Sequence, residues 1–357
     1  MKRQRPDISS DRHQFSSSVF THEIMARSLN AWVLTAVASM AAGLTLSACS
    51  SGSDGDQAQR TLSAAGASFP AAIYQRWFQG LSQQGVNVNY QSIGSGAGVR
   101  QFTAGTVDFG ASDTPMKANA VDKVSRGVVQ IPMTAGAIAV AYNNPSCELS
   151  LNQEQLAKIF LGQISNYNQV GCNDQEITVV HRSDGSGTTE NFAKHLSAIN
   201  PRWKTEVGVA KSVQWPTGVG AKGNEGVAAQ LTQIEGGIGY VELAYVQGAL
   251  EAAAVENASG KKVKPTNAAA SEALGSIDLG PELIGGNANP KNGYPIVTFT
   301  WVLAYETGNG DKTAALKKTF EFMLSEEAQS KAPELGYVSL PADVVTKAKA
   351  AVEKISD

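Results

Sequence analysis

Apolar positions along this chain switch repeatedly between strand and helix periods. Ile73, Trp77 and Leu81 recur every four residues, which predicts a helix over Ala71 to Gln83, with Pro70 at its first position and Ser68 as its cap. Val86, Val88 and Tyr90 then alternate with polar residues, as a half-buried strand does. That strand runs into the loop Ile93 to Gly98, followed by a helical stretch from Val99 to Ala104 and a strand over Thr106 to Asp113 that ends in a polar tip. Two apolar bursts, Val128 to Pro132 and Ala137 to Tyr142, predict a strand pair and a crossing between domains. Asn152 to Gln155 is a capping-box pattern opening a helix that buries Leu156, Ile159 and Phe160. Ile177 to Val180 reads as a strand, Glu190 to Leu196 as a helix, Val227 to Thr232 as a helix and Gly236 to Glu242 as a strand. Tyr294 to Tyr305 is strongly β-like and serves as a return crossing; Lys312 to Leu324 and Pro341 to Ile355 are amphipathic helices that close the first domain. Glu251 to Asn292, rich in Ala, Gly, Asn and Pro, carries no assignable period.

The N-terminal part has a different character. Leu29 to Ala48 is a short apolar, Ala-rich run that ends in Leu46-Ser47-Ala48-Cys49, the form of an export signal spanning residues 1–48. Leu-Ser-Ala-Cys resembles the lipobox of bacterial lipoproteins, so Cys49 is the expected lipidation site, with plain secretory cleavage or an uncleaved anchor as alternatives. Translation is expected to begin at Met25, which would leave a compact basic segment before the apolar run. Residues 49–60, Ser/Gly/Asp/Gln-rich, have the composition of a flexible tether.

With 357 residues, 42% hydrophobic and 17% charged, the chain suits a soluble body of about two domains. Removing residues 1–48 leaves 24 basic and 29 acidic residues, a net charge of −5. A negative body argues against nucleic acid as a partner and against wide-field capture of anions. Any anion site must therefore be local and built from hydrogen bonds. In an exported chain, Cys147 and Cys172, flanking one helical segment, most simply form a disulfide; two reduced thiols are the alternative, and no spaced His or Cys partner near them suggests a metal.

One device recurs at Ser68, at Ser95 and at Ser186: a strand, a Gly/Ser loop, then a helix start. Around Arg182 to Thr189 the glycines let the backbone turn tightly, so that N–H groups and the hydroxyls of Ser186 and Thr188 can converge on a point where the helix dipole also favours an anion. Arg182 adds a planar, two-pronged donor. In an open α/β sheet such loops gather beyond the carboxyl ends of the strands. Each copy alone is equally an ordinary capped turn.

Taken together, Gly66-Ala67-Ser68-Phe69-Pro70, Gly94-Ser95-Gly96-Ala97-Gly98-Val99, Val107 to Asp113, Arg182 to Thr188, Gly223-Asn224-Glu225-Gly226, Gly239-Tyr240-Val241-Glu242 and Ser339-Leu340-Pro341 resemble, in order, the PstS-type phosphate-binding proteins of bacterial high-affinity phosphate ABC transporters. The resemblance spans nearly all of Thr61 to Ile355. It implies an α/β, two-lobed periplasmic binding protein fold of type II, each lobe a mixed sheet flanked by helices, joined by two crossing segments. Lobe I would comprise residues 61–138 and 298–357, and lobe II residues 139–297. It further implies a monomer in the periplasm or cell envelope that binds inorganic phosphate, needs no cofactor, and delivers its ligand to membrane permease subunits. Phosphate contacts would come from the hydroxyl and backbone of Ser68, the backbone of Phe69, Ser95, Asp113, Arg182, Ser186, the backbone of Gly187, and Thr188, with Asp184 orienting Arg182. The family more often has Thr where Ser68 stands, which keeps the hydroxyl. The lipobox departs from soluble family members, and the cysteine pair reads as a local staple.

Asp113 is the expected selectivity element. Phosphate near neutral pH keeps a proton to donate to a carboxylate, whereas sulfate does not. Binding of sulfate or molybdate, or a phosphate-sensing role, are the alternatives. A phosphatase using Ser95 or Ser186 fits poorly, since past the signal only His181 and His195 remain and no nucleophile-elbow motif surrounds either serine.

Overall fold

The computed structural model of the protein describes residues 60–357, so the signal segment, Cys49 and nearly all of the tether lie outside the described residues. Among the described residues there are twelve strands: β1 (Arg60–Gly66), β2 (Val86–Ser92), β3 (Phe109–Ser112), β4 (Val129–Tyr142), β5 (Ser150–Leu151), β6 (Thr178–Arg182), β7 (Val219–Ala221), β8 (Gly237–Glu242), β9 (Glu251–Ala252), β10 (Ala254–Glu256), β11 (Lys262–Val263) and β12 (Val297–Ala304). The main sheet runs β2-β1-β3-β12-β4-β8-β6-β7, with β9 on β4. On one side β1 is parallel to β2 and β3, and β12 is antiparallel to β3. On the other, β6 is parallel to β7 and β8. Each half is thus a mixed sheet, and helices join the parallel strands as crossovers must.

The two halves share β4. Val129 to Ala137 pair with β12, and Ile138 to Tyr142 pair with β8, so the chain crosses near Ala137 and returns beside it where Ile138 N–H meets the Ile296 carbonyl. This is the two-lobed, type II architecture expected from the resemblance. Because the crossovers are of one kind, the carboxyl ends of β1, β2 and β3 on one side, and of β6, β7 and β8 on the other, point toward the middle of the molecule.

Several local expectations are corrected. The two apolar bursts around Pro132 are one 14-residue strand, not a pair. The intervening segment continues it because Thr134, Ala135 and Gly136 pair with Thr300, Phe299 and Thr298 of β12, and Pro132 pairs with Trp301 at the register shift, where Met133 bulges out and the ladder tolerates a missing donor. Thr106 to Asp108 is a loop ahead of β3, with Asp108 tied by the N–H and hydroxyl of Ser63 and by Lys312. The helix after β2 already starts at Ser95 and the helix before β8 at Gly223. Residues 251–292 contribute β9, the strands β10 and β11 that join β5 in a small sheet, and a helix Asn267–Leu274 capped by Thr266. Cys147 and Cys172 form a disulfide with Cα atoms 5.3 Å apart, joining the segment before β5 to a turn after the 3-10 segment Tyr167–Val170.

Candidate anion-binding site

The expected site residues come from four loops, and the structure brings them together in the middle of the molecule. After β1, Ser68 and Phe69 are buried. Ser68 does not cap the following helix: Pro70 occupies the cap position, and the Ser68 hydroxyl instead accepts from the backbone N–H and the side-chain amide of Asn224, both at 2.9 Å. The Phe69 carbonyl accepts from the Tyr337 hydroxyl at 2.7 Å, and the two rings meet edge to face. After β2, Gly94 adopts φ +86°, a conformation open to glycine, and any side chain there would collide with Asp184. This turn places Ser95 at the first position of its helix, where its hydroxyl accepts from the Gly187 N–H at 3.1 Å and lies 3.4 Å from Asp113.

β6 delivers Arg182 at its last position. Its guanidinium is gripped two-pronged by Asp184, Nε to Oδ1 at 2.7 Å and Nη2 to Oδ2 at 2.6 Å, while Nη1 is 3.4 Å from the Thr188 hydroxyl. The Arg182 side chain is 1% exposed and that of Asp184 12%, a setting in which removing either partner leaves a poorly compensated charge. Burial pushes the Asp184 carboxyl upward, but Arg182 and the Gly223 N–H more than offset this and hold it below its ordinary value. Ser186 caps the helix Gly187–Ile199, its hydroxyl accepting from the Thr189 N–H at 3.0 Å. A Cβ on Gly187 would lie 2.6 Å from Ser95 Oγ and 2.8 Å from Asp113 Cβ, so glycine is what lets this helix start approach the β3 loop.

Asp113 sits between these loops, 1% exposed. One carboxylate oxygen accepts from the Thr300 hydroxyl at 3.0 Å, and the other lies 3.4 Å from both Ser95 and Thr188. Its carbonyl is held by the Asn191 amide at 2.7 Å and the Thr298 hydroxyl at 3.0 Å. Burial raises its pKa to about 6, against the lowering pull of Thr300, Arg182, Lys211 and Thr188. The result is a nest of N–H groups, hydroxyls and one guanidinium, in which the Asp184 carboxylate is taken up by Arg182 and the Asp113 carboxylate lies among the hydroxyls of Ser95, Thr188 and Thr300. Such a set can wrap a small tetrahedral anion and demand that it carry a proton.

Sequence reasoning passed over Asn224, Asn191 and Thr300. Asn224 bridges Ser68 to Thr188 at 3.3 Å while its side-chain oxygen accepts from the Glu242 N–H. Glu242, fully buried at the end of β8, is pushed well above its ordinary pKa by burial. The motifs holding Asn224 and Glu242 were visible, but nothing in their spacing tells which side chain faces inward. Among the described residues no group of side chains has the makings of a metal site, and no helix is long and apolar enough to cross a membrane.

The PBP superfamily domain matches residues 51–327. A high affinity periplasmic phosphate-binding protein, PfluDING, solved with phosphate bound, aligns with a TM-score of 0.69 at 22% identity, covering 81% of this chain and 93% of its own. The phosphate binding protein of Stenotrophomonas maltophilia aligns with a TM-score of 0.64 at 21% identity, over 81% and 93%. At these identities the likeness concerns the fold. Fold and site together define a substrate-binding protein of the PBP superfamily. Sequence narrows this further: the phosphate-binding protein PstS of Pasteurella multocida is 42% identical over 314 residues, 82% of this chain and 90% of that one. That of Methanocaldococcus jannaschii is 35% identical over 332 residues, 82% and 85%. The chain belongs to the PstS family of phosphate-binding proteins.

Proposed function

We propose that the protein binds inorganic phosphate with high affinity in the periplasm and delivers it to the membrane permease of a phosphate ABC transporter. The observation that carries this reading is the buried Asp113 carboxylate among the hydroxyls of Ser95, Thr188 and Thr300. Ser68, the Phe69 backbone, Ser95, Arg182, Ser186, the Gly187 backbone and Thr188 surround the phosphate oxygens, and Asp113 accepts the hydrogen that phosphate keeps. Asp184 holds Arg182 flat and aimed. Lobe I, residues 61–138 and 298–357, and lobe II, residues 139–297, close about the crossings near Ala139 and Thr298 and exclude water. The relatives are binding proteins, and the reading assigns no reaction and no cofactor to this chain. A monomer, held at the cell envelope by a lipid on Cys49, completes the picture. Intact mass of the exported protein tests the anchor: a species without a diacylglycerol adduct removes it.

Calorimetric competition among phosphate, arsenate, sulfate and molybdate tests the main reading. Phosphate should bind most tightly, with sulfate and molybdate weaker by orders of magnitude. Equal or tighter binding of sulfate or molybdate would assign the site to another oxyanion.

A further inference from the structure

Next to the anion site, and outside it, lies a three-residue cluster that spans the two halves of the molecule. Residues 207–218, between the helix Pro201–Glu206 and β7, form a strap over the start of the helix Gly187–Ile199. The strap is pinned twice. The Ser186 N–H donates to the Lys211 carbonyl at 2.8 Å, and the Trp215 ring stacks on His181 at 4.8 Å. From this fixed base the Lys211 ammonium reaches Glu190 at 3.0 Å, with side chains 24% and 10% exposed. Lys194 stands further off at 3.6 Å from the other Glu190 oxygen. All of these residues belong to the half carrying β6 to β8.

The one member from the opposite half is Thr114, the residue after Asp113. Its buried hydroxyl donates to Glu190 Oε2 at 3.0 Å and accepts from the Lys211 ammonium. A hydroxyl is the only common neutral side-chain group small enough to do both at once. Because both its partners are charged, these bonds are of the stronger kind, and the low exposure shields them from salt. They can exist only while the β3 loop and the start of the Gly187–Ile199 helix are in contact, and any opening between these two elements must break them.

We propose that Lys211 and Glu190 form a hook, with Thr114 as its keeper, which latches the closed protein and sets how slowly phosphate leaves. This rests on the phosphate-binding reading above and adds to it a set of residues that hold the cleft shut without touching the ligand. The latch acts on opening, so it governs the dissociation rate and leaves association nearly unchanged.

The test is release of radiolabelled phosphate from the full chain after a chase with excess unlabelled phosphate, with association measured by intrinsic tryptophan fluorescence. Thr114→Val keeps the shape and every charge and removes only the hydroxyl. It should speed release about tenfold, equivalent to about 1.4 kcal/mol, with the association rate within about twofold. Thr114→Ser should release at the wild-type rate, and Lys211→Met should also release faster. The double variant Thr114→Val/Lys211→Met should be no faster than the quicker single, because both break the same latch. Unchanged release in Thr114→Val, equally fast release in Thr114→Ser, or fully additive effects would overturn the latch. A wild-type chain that retains no phosphate would overturn the phosphate reading itself, an outcome seen before any variant is made.

Discussion

Sulfate keeps no proton near neutrality, so it can occupy the site only if Asp113 supplies one. Burial raises the pKa of that carboxyl to about 6, with Thr300 and Arg182 limiting the rise. At pH 7 protonating it costs one pH unit, about 1.4 kcal/mol, and at pH 8 about twice that. The apparent sulfate Kd of the wild type should therefore rise about tenfold for each pH unit above 6. In Asp113→Asn the amide can donate at any pH, and the sulfate Kd should become flat while phosphate loses the acceptor for its own hydrogen. No imidazole interferes in the window from pH 6.5 to 8.5: burial holds His181 below its ordinary value and lowers His195 to about 4. Displacement calorimetry, with sulfate titrated against bound phosphate at several pH values, measures the slope. A flat wild-type sulfate Kd, or a slope that survives in Asp113→Asn, would refute the claim that this one carboxylate filters the ligand.

The same group bears on stability. Its folded pKa lies above its ordinary value of 3.8, so the ligand-free protein should lose about 3 kcal/mol as pH rises from below 4 to above 6, and Asp113→Asn should melt higher than wild type at pH 7. Gly187→Ala should fold yet bind phosphate about a hundredfold more weakly, since its Cβ would press on Ser95 and Asp113; calorimetry with an affinity within threefold of wild type would refute this. Arg182→Met should lower stability by about 3–5 kcal/mol in denaturant titration, because it leaves the Asp184 carboxylate poorly compensated where its side chain is only 12% exposed, and the double variant Arg182→Met/Asp184→Leu should recover part of the loss. Reducing the Cys147–Cys172 bridge, whose ends are 25 residues apart, should cost about 2–4 kcal/mol with phosphate affinity unchanged, read by melting and by calorimetry on the same sample.

Much of the architecture is readable from residue pattern. The four-residue spacing of Ile73, Trp77 and Leu81 marks one face of a helix, and all three are buried. The alternation at Val86, Val88 and Tyr90 belongs to β2, whose outer side is the edge of the sheet and stays partly wet. Patterning fails where both faces of a strand are buried. β4 is enclosed along nearly its whole length, so it lacks alternation, and Pro132 reads as a break in the sequence although β4 runs on past it, with a bulge at Met133 in its pairing with β12. Residues 251–292 were unreadable because their strands are two or three residues long and pair with β4 and β5, far away in sequence.

Which loops could hold an anion is legible from residue order alone, because glycine, serine and threonine after a strand and before a helix supply N–H and hydroxyl donors at one place. So is the character of Arg182 and Asp184, two residues apart and matched in charge and shape. That Ser68 turns to Asn224 and not to its own helix, that Thr300 from the returning strand steadies Asp113, and that Lys211 reaches across to Thr114 emerges with the folded arrangement of the strands. The reason is one of range. Local backbone geometry and the hydrogen-bonding capacity of a short loop are properties of neighbours in the chain, whereas the partner of a buried side chain is set by which strands the sheet places side by side.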